Sequence, residues 1–254
     1  MKVMTIIGTR PEIIRLSEII KLLDKNTDHC LVHTGQNYDK NLNDVFFSDL
    51  NLRLPNYQLS CKSNSIQEQI SKIIKLTGDV MDKENPDCIL ILGDTNSGLS
   101  SIPAKRKKIP IFHIEAGDRS FDNDVPEELN RKLIDLTSDI NLAYSEHSRR
   151  NLINEGVKPN NIYVIGSPIA EVYMGLKQKY RNRKILKKLK IKSKNFFLAS
   201  IHREENVDKK NSLKILVNIF NKISEKYKLP IIVSTHPRTR LRLKSEKLFE
   251  KSSK

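Results

Sequence analysis

The chain has 254 residues and a formal net charge of +15, with 38% hydrophobic and 30% charged side chains. That composition excludes a disordered chain and leaves room for one large or two modest domains with real cores. No apolar run approaches a membrane span, and the opening MKVMTII is too short for a secretory leader. Cys30, Cys61 and Cys88 are scattered without CxxC spacing, which suits a reducing cytoplasm and argues against a disulfide framework or a zinc ribbon. Much of the positive charge falls late, as in KQKYRNRKILKKLKIKSK at 177–194. This run lacks regularly interleaved aromatics for base stacking, so it reads as a solvated helix face and linker, not as a nucleic-acid footprint.

In chain order, KVMTII at 2–7 is suited to a buried strand. Gly8-Thr9-Arg10-Pro11-Glu12 follows, with capping-box spacing from Thr9 to Glu12 and Pro11 in the first turn. The helix it opens runs to about Lys25. Its N-terminus after a strand is a ready anion site, with Arg10 placed to grip a phosphate bidentately and Arg15 close to the same face. The ordinary alternative is a plain capped helix. A second strand, His29 to Thr34, ends in Gly35-Gln-Asn-Tyr-Asp39. Gln67 to Glu84 reads as an amphipathic helix broken by Pro86. Cys88 to Leu92 is a third buried strand, and Gly93-Asp94-Thr-Asn-Ser97 follows it. Asp94 is then either a site carboxylate or a plain N-cap.

Ile111 to Arg131, IFHIEAGDRSFDNDVPEELNR, is the densest stretch. Strand, polar loop and helix start succeed one another there, the place where α/β proteins put ligands. His113 and Glu115 lie two apart, which in a strand sets them on one face. Asp124-Val-Pro-Glu127 has the spacing of a capping box that fixes Glu127 at a helix N-terminus. The ordinary alternative pairs Glu127 with Arg131 at i+4. Ile140 to Tyr144 and Ile162 to Ile165 are further strands, with a helix from Ser145 to Glu155 between them. The alternation predicts an α/β fold with a parallel, doubly wound sheet over 1–170, a basic helix and linker over 171–194, and a second, partial α/β unit over 195–254. That last part holds strands at 196–201 and 229–234 and a helix from Asn211 to Tyr227. Two strands do not close such a sheet, and the open edge is an expected aggregation liability.

Taken together, GTRPE, HTGQ at 33–36, GDTxS at 93–97, HIEAGxR at 113–119, PEExNR at 126–131, GSP at 166–168 and HREEN at 202–206 make the chain resemble the non-hydrolysing UDP-N-acetylglucosamine 2-epimerases, of GT-B fold. The resemblance covers nearly the whole chain. GTRPEIIRLS, VHTGQNYD, SDINLxYSEHSR and STHPRTR resemble the branch that converts UDP-2-acetamido-2,6-dideoxy-L-talose to UDP-N-acetyl-L-fucosamine for capsule and O-antigen. Arg15 stands where the better-known members carry Lys, and the loop between HIEAG and PEE is shorter. Arg and Lys are not interchangeable at an anion site.

The resemblance implies a soluble cytoplasmic isomerase that eliminates UDP across C1–C2 and adds it back. It implies catalytic roles for Asp94, Glu115 and Glu127 as acid/base candidates and for His202, which with Arg10 and Arg15 contacts the diphosphate or stabilises it as it leaves; Arg10, Arg15 and Arg131 are the substrate-binding residues. It implies a UDP-activated 2-acetamido sugar as partner and a homodimer, without metal, cofactor, nucleic acid or membrane. The family continues for roughly another hundred residues, in keeping with a full second domain, so the chain is expected to be C-terminally truncated. The alternative within the family is a UDP-N-acetylglucosamine 2-epimerase forming UDP-N-acetylmannosamine; the rival readings outside it are a GT-B glycosyltransferase, a hydrolysing relative and an inactive truncated remnant or sugar-nucleotide binding module.

Overall fold

Five of the six residues of Lys2–Ile7 are buried, as expected of a β-branched apolar run at the centre of a sheet covered on both faces. The computed structural model of the chain describes residues 1–36, 40–181, 185–201, 211–235, 237–245 and 248. The chain forms two compact units, Met1–Lys177 and Gln178–Lys254, and the division falls inside the basic segment.

In the first unit, β1 (Lys2–Ile7) is followed by α1 (Arg10–Asn26), β2 (Asp28–His33), α2 (Lys40–Asp49), β3 (Tyr57–Gln58), α3 (Ile66–Glu84) and β4 (Cys88–Leu92). Then come α4 (Ser101–Arg106), β5 (Ile111–Ile114), α5 (Pro126–Thr137), β6 (Ile140–Ala143), α6 (Glu146–Asn154), β7 (Ile162–Val164) and α7 (Ile169–Arg181). The seven strands lie in the order β3-β2-β1-β4-β5-β6-β7, and every pairing is parallel. This is the doubly wound sheet the alternation predicts. The short β3 is an addition, on the outer side of β2.

Strand alternation sorts the core. Met4, Ile6, Ile89 and Ile91 face Val80, Met81 and Ile134 on one side. Ile7, Leu31, Leu90 and Leu92 face Ile13, Leu16 and Ile20 of α1 on the other. Sequence order reverses between β1 and β4, so the loops leaving them part and open a crevice at the carboxyl ends.

One helix departs from ordinary amphipathicity. Leu129, Leu133 and Leu136 of α5 are exposed, whereas Glu128, Asn130 and Asp135 are buried beside Ile134. Its inward face is largely polar, which needs partners for every group it buries.

In the second unit, β8 (Phe197–Ile201) pairs in parallel with β9 (Ile231–Thr235), flanked in sequence by the helices Ser212–Tyr227 and Pro237–Ser245. Leu213, Leu243 and Leu248 form a small cluster. Leu198 in β8 is 70% exposed, whereas every residue of β4 is buried. Among the described residues, no helix is long and apolar enough to cross a membrane.

Candidate active site

The loops at the carboxyl ends of β1, β4 and β5 build one polar cluster. After β1, Glu12 in the first turn of α1 is 2% exposed. Its Oε2 accepts the amides of Gly8 and Thr9, both at 2.6 Å, and its Oε1 accepts Thr95 Oγ1 at 2.7 Å. Burial raises its carboxyl above the ordinary value, against the hydrogen bonds that pull it down. The anion at this helix N-terminus is thus the chain's own Glu12, and it ties the β1 turn to the loop after β4. A Cβ at Gly8 would lie 2.0 Å from Ser97 Oγ and 2.4 Å from Thr34 Oγ1, so only glycine fits there. Thr34, Gln36 and Ser97 are themselves joined by hydrogen bonds of 2.7 and 3.0 Å, which accounts for Thr34 and Gln36 of HTGQ as a brace between the ends of β2 and β4. Arg10 remains at the turn, its guanidinium 6.0 Å from the centre of the Phe46 ring.

After β4, Asp94 does not cap the following 3-10 turn; Thr95 does, accepting Ser97 N at 3.2 Å. Asp94 is held instead by α5. Its carboxylate takes Arg131 Nε at 2.9 Å and Nη2 at 2.6 Å, and its carbonyl takes Asn130 Nδ2 at 2.9 Å. Arg131 also reaches Glu128 at 3.1 Å. Arg131 is therefore engaged with Asp94 and Glu128, and the i+4 pairing with Glu127 does not form.

The helix start also differs from the expected capping box. Val125 is the N-cap of α5, without a side-chain cap, and Asp124 N bonds to Asp122 Oδ1 at 3.0 Å. Glu127 is exposed in the first turn. Glu128, its neighbour, turns in and accepts Ser120 N and Oγ, both at 2.9 Å.

After β5, the expectation that His113 and Glu115 share a face fails. β5 ends at Ile114, and Glu115 sits in the left-handed region with φ +71°, which breaks the strand alternation. His113 points toward α5, with Nδ1 2.8 Å from Asp135 Oδ1 and Nε2 2.9 Å from the Gly93 carbonyl. Glu115 turns toward α1 and pairs with Arg15. A Cβ at Gly93 would lie 3.1 Å from Glu115 Oε2, so the carboxylate rests over the residue that precedes Asp94. Burial raises the Glu115 carboxyl, Arg15 pulls it down, and Asp94 and Asp118 push it up.

The loop after Glu115 is anchored from below. Asp135, 1% exposed, accepts Gly117 N at 3.1 Å and Arg119 Nη2 at 2.7 Å besides facing His113. Arg119 pairs on with Glu155, Ser148 donates to Asp118 at 2.6 Å, and Asn151 donates to the Gly117 carbonyl at 2.9 Å. A non-glycine residue at positive φ is costly and persists only where its surroundings over-determine it; this network does so. Asp135, Glu128 and Glu12 escaped the sequence reading as site residues. Asp135 had a signal: it follows Arg131 by four and Glu128 by seven, one face of one helix.

The expected residues therefore divide. Arg15, Glu115, Asp94 and Arg131 come together, Arg10 sits at the β1 turn, and Glu127 is exposed at the start of α5. His202 and the HREEN motif lie outside the described residues. Among the described residues, no group of three or more His, Cys, Asp and Glu is arranged to hold a metal.

Comparison with known proteins identifies the family of the chain. The sequence pattern of the UDP-N-acetylglucosamine 2-epimerases matches residues 21–253. The chain belongs to the UDP-N-acetylglucosamine 2-epimerase family. Members of this epimerase family are isomerases. The structure of UDP-N-acetylglucosamine 2-epimerase from Rickettsia bellii is 47% identical with a TM-score of 0.89, over 99% of this chain and 66% of that one. The Methanocaldococcus jannaschii UDP-GlcNAc 2-epimerase in complex with UDP-GlcNAc and UDP is 40% identical with a TM-score of 0.87, over 99% of this chain and 70% of that one. The UDP-2,3-diacetamido-2,3-dideoxy-D-glucuronate 2-epimerase of Pseudomonas aeruginosa is 36% identical over 94% of this chain and 68% of its own length. The chain thus spans about two thirds of the length of these epimerases.

Proposed function

We propose that this chain inverts C2 of a UDP-activated 2-acetamido sugar by elimination and re-addition of UDP. The observation that carries this reading is the meeting of Asp94 and Glu115 at the adjoining ends of β4 and β5, with Arg15 against Glu115. The proton at C2 has no neighbouring carbonyl to acidify it. Loss of that proton to a carboxylate while the C1–O bond to UDP breaks gives a C1–C2 alkene. Return of the UDP oxygen to C1, with a proton delivered to the other face of C2, completes the inversion with nothing gained or lost. The step needs a base, an acid and cations at the leaving diphosphate.

Asp94, Glu115 and Glu127 are the acid/base groups of this scheme. The raised carboxyl of Glu115 suits proton exchange near neutrality better than an ordinary glutamate does. Arg10, Arg15 and His202 meet the diphosphate, and Arg131 holds Asp94 in place. The same reading takes the enzyme to work as a cytoplasmic homodimer.

For the sugar, the motifs around Arg15 and Tyr144 favour UDP-2-acetamido-2,6-dideoxy-L-talose, giving UDP-N-acetyl-L-fucosamine. The Rickettsia and Methanocaldococcus relatives, named for UDP-N-acetylglucosamine, favour that substrate as a second reading. Proton NMR of each sugar nucleotide with the chain in heavy water separates the two. Deuterium entering C2 of the talose compound alone is the expected result. Entry only into UDP-N-acetylglucosamine selects the second reading, and entry into neither rejects epimerisation by this chain.

A further inference from the structure

His113 lies buried near the end of β5, beside Ile91 of β4 and Asn141 of β6. Both of its ring nitrogens meet oxygen. Nε2 is 2.9 Å from the Gly93 carbonyl and Nδ1 is 2.8 Å from Asp135 Oδ1. A carbonyl oxygen only accepts, so Nε2 carries a hydrogen and donates it. A second hydrogen lies between Nδ1 and Oδ1, without which two lone pairs would face each other. Gly93 is the residue before Asp94 and stands at φ +78°, a region that glycine enters and leaves freely. Its amide is fixed by the Ile114 carbonyl at 3.0 Å. Its own carbonyl shares one planar peptide with the Asp94 amide. Whatever orients that carbonyl therefore orients the start of Asp94.

We propose that His113 is a positioning residue for Asp94: its Nε2–H holds the Gly93 carbonyl, and its Nδ1 fastens that hold to Asp135. The effect on catalysis rests on the epimerase reading, in which Asp94 is an acid/base group. Asp135 also accepts the amide of Gly117, two residues beyond Glu115, at 3.1 Å. One imidazole and one carboxylate thus span both turns, from the peptide before Asp94 to the loop after Glu115. Asn130 and Arg131 hold Asp94 from α5, and His113 holds it from β5. Proton transfer at carbon needs the reacting atoms about 3–3.5 Å apart. A turn of the Gly93–Asp94 peptide carries the carboxylate out of that range. An apolar residue at 113 would fill the strand end but leave the carbonyl without this donor and Gly93 free to turn.

The test sets stability against activity. Asparagine carries its amide nitrogen near the place of Nδ1, and glutamine near that of Nε2. His113→Asn keeps the bond to Asp135 and loses the one to Gly93; His113→Gln does the reverse. A bond to a charged group is worth more than one to a carbonyl, so His113→Asn is expected to have the higher Tm of the two, by ~3 °C. Its kcat for C2 exchange is nevertheless expected to fall ~100-fold, against ~10-fold or less for His113→Gln, with KM little changed in both. Activities that follow the Tm order overturn the proposal. Two NMR readouts need no substrate. In the unaltered chain the 15N spectrum of the ring is expected to show a hydrogen on Nε2, and a bare Nε2 overturns the proposal even if neither variant folds. The Asp94 amide resonance is expected to move in His113→Asn and stay near its parent position in His113→Gln; the opposite order overturns it too. Absence of exchange in the unaltered chain rejects the epimerase reading, while the two spectra still decide whether His113 sets the Asp94 turn.

Discussion

The ends of β4 and β5 each present a carboxylate to the same crevice, and the chain holds them by different means. Asp94 is gripped through its side chain and its own carbonyl by successive residues of α5, Asn130 and Arg131. Glu115 is held chiefly through its backbone: φ +71°, the next amides bound to Leu142 and Asp135, and a single arginine at the carboxylate. One carboxylate is fixed by direct ion pairing and the other by a strained turn with a buried foundation. The first arrangement ties the charge down. In the second, burial is the largest influence on its ionisation, ahead of the pairing with Arg15.

The comparison breaks most severely at the foundation. Asp135→Ala takes one carboxylate from Arg119, which keeps only Glu155 as ion-pair partner, and the Nδ1 partner from His113, side chains that are 0% and 1% exposed, and removal of one partner from a buried charge cluster costs about 3–5 kcal/mol. Thermal unfolding is expected to show a Tm lower by on the order of 10 °C. At the β4 end the loss is functional. Arg131→Met is expected to lower kcat ~100-fold with KM little changed, because it frees Asp94 without touching the sugar; a raised KM with kcat intact would return Arg131 to the substrate-binding group. Its stability cost is about 1 kcal/mol for a part-exposed pair.

The smallest effect sharpens the contrast through pH. Glu12 joins the β1 turn to Thr95, and its carboxyl is raised by burial. The folded state therefore binds its proton more tightly than the unfolded state, whose value is near 4.5. Stability is expected to fall as pH rises from that value through the raised one. Glu12→Gln keeps an oxygen for the Gly8 and Thr9 amides and offers an amide to Thr95. It should fold within about 1 kcal/mol of the parent, and its Tm should lose that downward slope as pH rises above 4.5.

Much of this was legible in residue order. The parallel sheet follows from alternating apolar runs and capped helices, and Ser65 and Ser145 cap α3 and α6 as such residues do, accepting Glu68 N and Ser148 N. Asp94, Glu115, Arg15 and Arg131 stand at strand ends and a helix start, where position alone marks them. What escaped depends on departures from regular geometry. Period-two reasoning paired His113 with Glu115, but the left-handed turn sends them opposite ways. The polar inward face of α5 hides Asp135, since apolar spacing directs attention to Leu129, Leu133 and Leu136. In β8 and β4 similar apolar runs reach very different burial, because burial belongs to the neighbours and not to the strand.

The roots of both grips lie on one helix, Asn130 and Arg131 for Asp94 and Asp135 for the turn that carries Glu115. Any rocking of α5 carries both along, so the gap between the two carboxylates behaves like the jaws of a calliper set to one width. The whole tool travels with the helix, and the width it measures does not change.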